Sequence, residues 1–289
     1  MLMRFFSRLL LAVSITATGA LSAAADTSRD DGLEETRTLA FRNLQRIVQD
    51  EERMMERARL PDGEYDVERV REGFQRLVSR YEAFLGDNPE YAPGYVAYGL
   101  MLDRAGETRI ASAMFLRANQ LDPNIPVVKN QLGNYMVEEG RPVDALPYYL
   151  AAIELEPEEP LYHYQLGNLL AEFRREFLEA EAYEAGVLDR SLQEAFRKAS
   201  ELGGEEIGYA YRYAESYYDV DDPDWSEALA AWSALENRLR PGVERQTVFL
   251  QKANIHILAG NPARAAELLE DVTAPVLRGN RDRLRERLE

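Results

Sequence analysis

Apolar and small residues recur along this chain on two scales. Locally, Tyr95, Tyr98 and Leu102, then Ala111, Phe115 and Ala118, fall at three- and four-residue intervals, which predicts amphipathic helices. Over a longer range the same residue types return every 34 positions. Gly99 is followed by Gly133 and Gly167, Gly106 by Gly140, Ala111 by Ala145, Phe115 by Tyr149, Ala118 by Ala152, and Pro89 by Pro123 and Pro157. A period of this length is the signature of a repeat architecture. Small residues such as Gly99 and Ala111 let two helices approach closely, Gly106 supplies the turn between them, and Pro123 ends the second helix. Each unit is predicted to be a helical hairpin. One hairpin cannot bury its own apolar face, so neighbours must stack into an all-α solenoid.

Tyr95, Tyr98-Gly99, Leu102, Gly106, Ala111, Phe115, Ala118 and Pro123 resemble a full tetratricopeptide repeat. Leu132-Gly133, Met136, Gly140, Ala145, Tyr149, Ala152 and Pro157 repeat the pattern, so 92–159 is expected to hold two regular units. The resemblance implies a right-handed superhelix that binds proteins or peptides without catalysis. A third unit, 160–204, begins with Leu166-Gly167 and Leu170 but carries 13 extra residues, and Arg174 stands where the turn glycine should be. Its first helix is expected to run through Phe177, break near Gly186 and restart at a capping box of Ser191 and Glu194. Tyr213-Ala214, Tyr217, Ala228, Trp232 and Pro241 outline a divergent fourth unit, 205–242. Phe249, Ala253, Gly260, Ala265 and Leu269 outline a fifth, 243–289, closed by an arginine-rich capping helix.

Upstream, Leu44, Ile47 and Val48, then Val70, Phe74, Leu77, Tyr81 and Phe84, predict a degenerate helical hairpin over 37–90, preceded by a loose segment, 26–36. The first 25 residues read as an export signal. Arg4 and Arg8 form the basic start, Leu9 to Leu21 a short apolar stretch, and Ala23-Ala24-Ala25 a small-residue cleavage site. The expected location is the periplasm or the exterior, with no membrane span once the signal is removed.

Composition narrows the partners. Lysine and arginine total 34 against 51 acidic residues, a formal charge of −17, which opposes phosphate backbones and argues against nucleic acid. There is no cysteine, so disulfides and thiolate metal sites are excluded. No phosphate-binding glycine loop, nucleophile elbow or His-Glu-x-x-His pair is present, and no enzymatic activity, cofactor or metal is expected. His163 and His256 fall in slots that otherwise hold packing residues, in register with Tyr95 and with Leu102. Asp219, Asp221, Asp222 and Asp224 do not make a calcium loop, because Pro223 interrupts them and Ala230 takes the place of the closing glutamate. An Asp cap before Trp225 is expected instead.

In the resembled family the first helix of each hairpin lines a concave groove that takes peptides. The residue after each small packing residue is Leu100, Asn134, Asn168, Glu215 or Asn254, and three asparagines there would form a ladder for the main chain of an extended peptide. Asn130, Tyr164 and Tyr211 lie four residues earlier, and Glu172 and Tyr218 three or four later. Leu100 apart, these nine residues are the candidate peptide-binding groove. Its acids favour a basic ligand, whereas the basic clamp that some family members use for a terminal carboxylate is missing, Arg104 standing nearly alone. Tyrosines that could stack on sugar rings leave a second reading, a carbohydrate-binding or polysaccharide-export scaffold.

Overall fold

The computed structural model describes residues 31–61, 63 and 65–288, with side chains from residue 39 onward. The expected export signal lies outside the described residues. All regular structure among them is helical, apart from an isolated antiparallel bridge between Arg59 and Tyr65. No described helix is long and apolar enough to cross a membrane. The chain divides after Glu156 into two compact units.

The first unit holds α1 (Asp31–Ala58), α2 (Val67–Asp87), α3 (Ala92–Arg104), α4 (Thr108–Leu121), α5 (Pro126–Glu138) and α6 (Pro142–Leu155). They pack as the consecutive hairpins α1/α2, α3/α4 and α5/α6. Proline opens α5 and α6, where a missing backbone N–H costs nothing. Gly106 and Gly140 end α3 and α5 at φ +80° and +73°, a conformation glycine adopts freely. The following amide then closes the turn, Glu107 donating to Leu102 O at 2.9 Å and Arg141 to Met136 O at 2.9 Å.

Within α3/α4 and α5/α6 an aromatic ring lies on a glycine. A Cβ on Gly99 would stand 2.7 Å from Phe115, and one on Gly133 2.9 Å from Tyr149. The N-terminal hairpin uses the same device, with the Met54 side chain filling the space beside Gly73. Helix α1 begins at Asp31, inside the segment expected to be loose, because from Leu33 onward the residues are good helix formers with no proline or further glycine. Glu51 of α1 is buried at 7% exposure, paired with Arg104 of α3 and bonded by the Tyr81 hydroxyl at 3.3 Å. Arg104 is thereby committed to holding the N-terminal hairpin against the first regular repeat.

The second unit holds α7 (Pro160–Glu172), α8 (Arg174–Glu179), α9 (Ala185–Leu202), α10 (Ile207–Glu215) with a 3-10 turn (Ser216–Tyr218), α11 (Trp225–Arg238), α12 (Val243–Leu258), α13 (Pro262–Glu270), a second 3-10 turn (Pro275–Leu277) and α14 (Arg278–Glu286). Helix α7 pairs with α9, α10 with α11, and α12 with α13. The Phe196 ring takes the place beside Gly167 that Phe115 has beside Gly99, a Cβ there lying 2.7 Å away. The 13 extra residues therefore sit between the two partner helices.

The path of that insertion differs from expectation. Helix α7 stops at Glu172, α8 is a separate piece, and α9 starts at Ala185, so Gly186 lies in its first turn and Ser191 in its interior. Leu188 and Leu192 are both fully buried, which requires the helix to be formed before Ser191. Reversal occurs at Glu181, whose φ of +52° lets Ala182 donate to Phe177 O at 3.0 Å. Arg174 staples the insertion: it reaches Asp189 Oδ1 at 2.9 Å and Oδ2 at 3.3 Å, and Asp221 Oδ2 at 2.6 Å. Asp224 caps α11 as expected, accepting from the amides of Ser226 (2.8 Å) and Glu227 (3.1 Å).

The ring-on-glycine contact sets the spacing of each hairpin, so enlarging its glycine should act directly on stability. Gly133→Val is expected to cost about 1–3 kcal/mol. Gly133→Ala should cost less, because alanine returns roughly 1 kcal/mol of helix preference. Thermal or urea unfolding of the two variants measures both terms, and equal midpoints for wild type and Gly133→Val would disprove the close approach.

Candidate binding face

The first helices of the hairpins carry two rows of side chains, and the structure separates them. The row four residues before the predicted ladder is a packing row. Val96, Asn130, Tyr164 and Leu250 are buried, at 3, 1, 9 and 6% exposure. Asn130 and Tyr164 thus present no groove surface, contrary to expectation. Tyr164 packs edge-on against Phe196 and Tyr209 at 6.0 and 5.3 Å, and Asn130 Oδ1 has no hydrogen-bond partner among the described residues. The reason is rotational. A step of four residues along a helix overshoots a full turn by about 40°, enough to carry a side chain from the open face into the seam between hairpins.

In the first unit Asn134 is half-buried and already engaged. Its Nδ2 donates to Gln131 Oε1 at 2.7 Å, and its Oδ1 accepts from the Tyr149 hydroxyl at 2.7 Å. Gln131 Nε2 in turn donates to Asp103 Oδ2 at 3.3 Å. Burial raises the Asp103 carboxyl above its usual range, and the Gln131 bond and Arg104 oppose that rise. Gln131 escaped the sequence reading, although Gln-Leu-Gly-Asn occurs at 131–134 and again at 165–168, with Gln-Lys-Ala-Asn at 251–254.

In the second unit Asn168 is half-buried, and its carboxamide has no hydrogen-bond partner among the described residues. Glu172 is exposed at the end of α7. On α10 and its 3-10 extension, Tyr211 belongs to the row of Asn130 and Tyr164 but is only half-buried, as are Glu215 and Tyr218, and Tyr218 reaches α12. The Tyr218 hydroxyl lies 3.3 Å from both the main-chain and side-chain oxygens of Gln251, and it accepts from Asn254 Nδ2 at 3.2 Å. Asn254 Oδ1 accepts from Arg287 Nη1 at 2.6 Å. Tyr211 stands edge-on to the buried Trp232, with ring centres 5.1 Å apart. Burial raises the pKa of both tyrosines. It also raises that of Glu215, where Arg212 opposes the shift and Asp219 adds to it. Gln251 and Arg287 are further members that the sequence reading missed.

Around Tyr218 the second unit thus gathers hydroxyls, carboxamides, the Arg287 guanidinium and the Glu215 carboxyl. No group of three metal-ligating side chains that could hold an ion is found among the described residues. No family model matches the chain, and no curated protein matches it. Solved structures do resemble it. YrrB, described as a TPR protein with an unusual peptide-binding site, superposes with a TM-score of 0.54 at 18% identity, over 66% of this chain and 90% of that one. The chain has a tetratricopeptide-repeat fold. PilW, a widely conserved type IV pilus biogenesis factor, resembles this repeat protein with a TM-score of 0.50 at 13% identity, over 71% of this chain and 87% of its own. A chain of the Naa15/Naa10 complex bound to HypK-THB matches at 0.55 and 17% identity, over 86% of this chain and 33% of that one.

The two histidines of the repeat protein serve its structure. His163 Nε2 meets the Pro157 carbonyl at 2.8 Å, just as the Tyr95 hydroxyl bonds the Pro89 carbonyl at 3.1 Å two repeats earlier. His256 occupies the slot of Leu102, its Nδ1 buried without a hydrogen-bond partner. Burial lowers its pKa, assisted by Arg264 and Lys252, so the folded state holds it neutral. The unfolded chain takes up a proton as pH falls below about 6.5, and the folded chain resists, so stability is lost in that range. His256→Met is therefore expected to match or exceed wild-type stability at pH 7 and to gain further at pH 5. Unfolding curves at the two pH values test this; a variant whose advantage shrinks on acidification refutes it.

Proposed function

We propose that this repeat protein is a non-catalytic interaction scaffold of the cell envelope, holding an extended, basic segment of a protein partner along the first helices of its hairpins. The observation that carries this reading is the recurring carboxamide pair, Gln131 with Asn134, Gln165 with Asn168, and Gln251 with Asn254, at one register on α5, α7 and α12. A carboxamide both donates and accepts, so such pairs suit a peptide main chain whatever its side chains. Tyr211, Glu215 and Tyr218 add amphipathic and acidic contacts that favour a basic segment. YrrB, of the same fold, is described as having a peptide-binding site. Placement in the envelope rests on Arg4, Arg8, the apolar run to Leu21 and the alanines at 23–25.

Carbohydrate binding is less well served. Sugar rings stack on open aromatic faces, whereas Tyr211 abuts Trp232 and the Tyr218 hydroxyl is tied to α12.

Crosslinking the full chain in an envelope fraction, followed by capture, tests the proposal. Asn168→Ala should leave the unfolding midpoint unchanged, because its carboxamide bonds nothing within the described protein. It should weaken partner capture about two- to tenfold, the value of one hydrogen bond. Undiminished capture by the double variant Gln165→Ala with Asn168→Ala would remove the carboxamide face from the account.

A further inference from the structure

Two opposite charges border the Tyr218 hydroxyl without pairing with each other. Arg287, at the end of α14, has Asn254 Oδ1 as its hydrogen-bond acceptor at 2.6 Å and no carboxylate partner among the described residues. Asn254 passes that contact on, donating to Tyr218. Glu215, three residues before Tyr218, is half-buried and has no hydrogen-bond or ion-pair partner among the described residues. The arginine closest to it in sequence is spent elsewhere, since Arg212 lies 2.7 Å from Asp219 and 4.1 Å above the Phe196 ring. The charges of Glu215 and Arg287 both act on Tyr218, in opposite directions. Burying a carboxylate without a hydrogen-bonded partner is costly; the charge of Arg212 offsets only part of that cost at Glu215, and the cation already seated next to Asn254 and Tyr218 is a guanidinium.

We propose that Glu215, Tyr218 and Asn254 form a subsite for an arginine side chain of the partner, and that Arg287 is its resident intramolecular competitor. The inference rests on the peptide-scaffold reading and names what the second unit recognises. An arriving guanidinium donates to the Glu215 carboxylate and to Asn254 Oδ1, the acceptor Arg287 now holds, with the Tyr218 ring alongside. Its planar fork of five donors can serve two acceptors at once, which an ammonium does less well.

The test uses the full chain and two probes, N-acetyl-arginine methylamide and its neutral citrulline counterpart, titrated while amide resonances of α10 and α12 are followed. The arginine probe is expected to shift these resonances, and the citrulline probe to leave them in place at equal concentration. Glu215→Gln should weaken the arginine probe roughly tenfold, the value of one charge-assisted hydrogen bond. Arg287→Ala, an exposed substitution that keeps the fold, should strengthen it about threefold or more. Equal binding of the two probes, or an affinity untouched by Arg287→Ala, overturns the subsite. A partner captured equally well by wild type and Glu215→Gln sinks the subsite and leaves the scaffold standing, whereas arginine-probe binding without any captured partner does the reverse.

Discussion

An aromatic ring resting on the backbone of a glycine sets the geometry of the regular hairpins. Where Phe115, Tyr149 and Phe196 lie on Gly99, Gly133 and Gly167, no Cβ fits between them. The two helices are held at a separation shorter than ordinary side-chain packing allows. Ala111, Ala118, Ala145 and Ala152 then fill the rest of the seam, and each is at most 1% exposed. In the divergent hairpins Ala214 and Ala253 replace the glycine, and Trp232 and Leu269 are fully buried in place of the ring. The constraint concerns which groups meet and is indifferent to how the chain connects them. That is why Phe196 can arrive 13 residues late and still find Gly167.

Features governed by local chemistry were legible in the sequence. The 34-residue period, the glycine turns at Gly106 and Gly140, and the Asp224 cap each depend on residues within one turn or one hairpin. What escaped was of two kinds. The insertion could not be traced from capping signals, because burial of Leu188 and Leu192 outweighs the weak preference of Ser191 for a helix start. Long-range polar contacts left no local trace: Glu51 with Arg104, Arg174 with Asp221, and Arg287 with Asn254 are separated by 53, 47 and 33 residues.

Burial removes part of the candidate face read from the sequence. The register of Asn134, Asn168 and Asn254 follows from the repeat, but the register of Asn130 and Tyr164 was placed on the same face and belongs to the seam. Only the stacking of neighbouring hairpins decides which side of a first helix is covered, and a single repeat read alone does not contain that information. Gln131 and Gln251 could have been found. They recur three residues before the asparagines, one helical turn away, and Gln131 does bond Asn134.

The fourth hairpin breaks this neutral pattern in a way that bears on recognition. Where α5, α7 and α12 carry glutamine and asparagine, α10 carries Arg212 and Glu215. A Gln–Asn pair is neutral and, as Gln131 and Asn134 do, can bond within itself, so trading that bond for one to a visiting main chain carries little electrostatic cost. An Arg–Glu pair in the same two positions would neutralise itself and read nothing. Here the pair is split, because Asp219 and the Phe196 ring hold Arg212 and leave the acid without an ion-pair contact, within reach only of the arginine's charge. On the proposed scaffold reading, the neutral positions of the second unit would grip a main chain and its one charged position would select a side chain, which together would give an extended segment both hold and register. The split exists only because the 3-10 extension of α10 brings Asp219 round to the arginine. On the arginine-subsite proposal, selectivity at this hairpin would therefore be a product of its departure from the regular repeat.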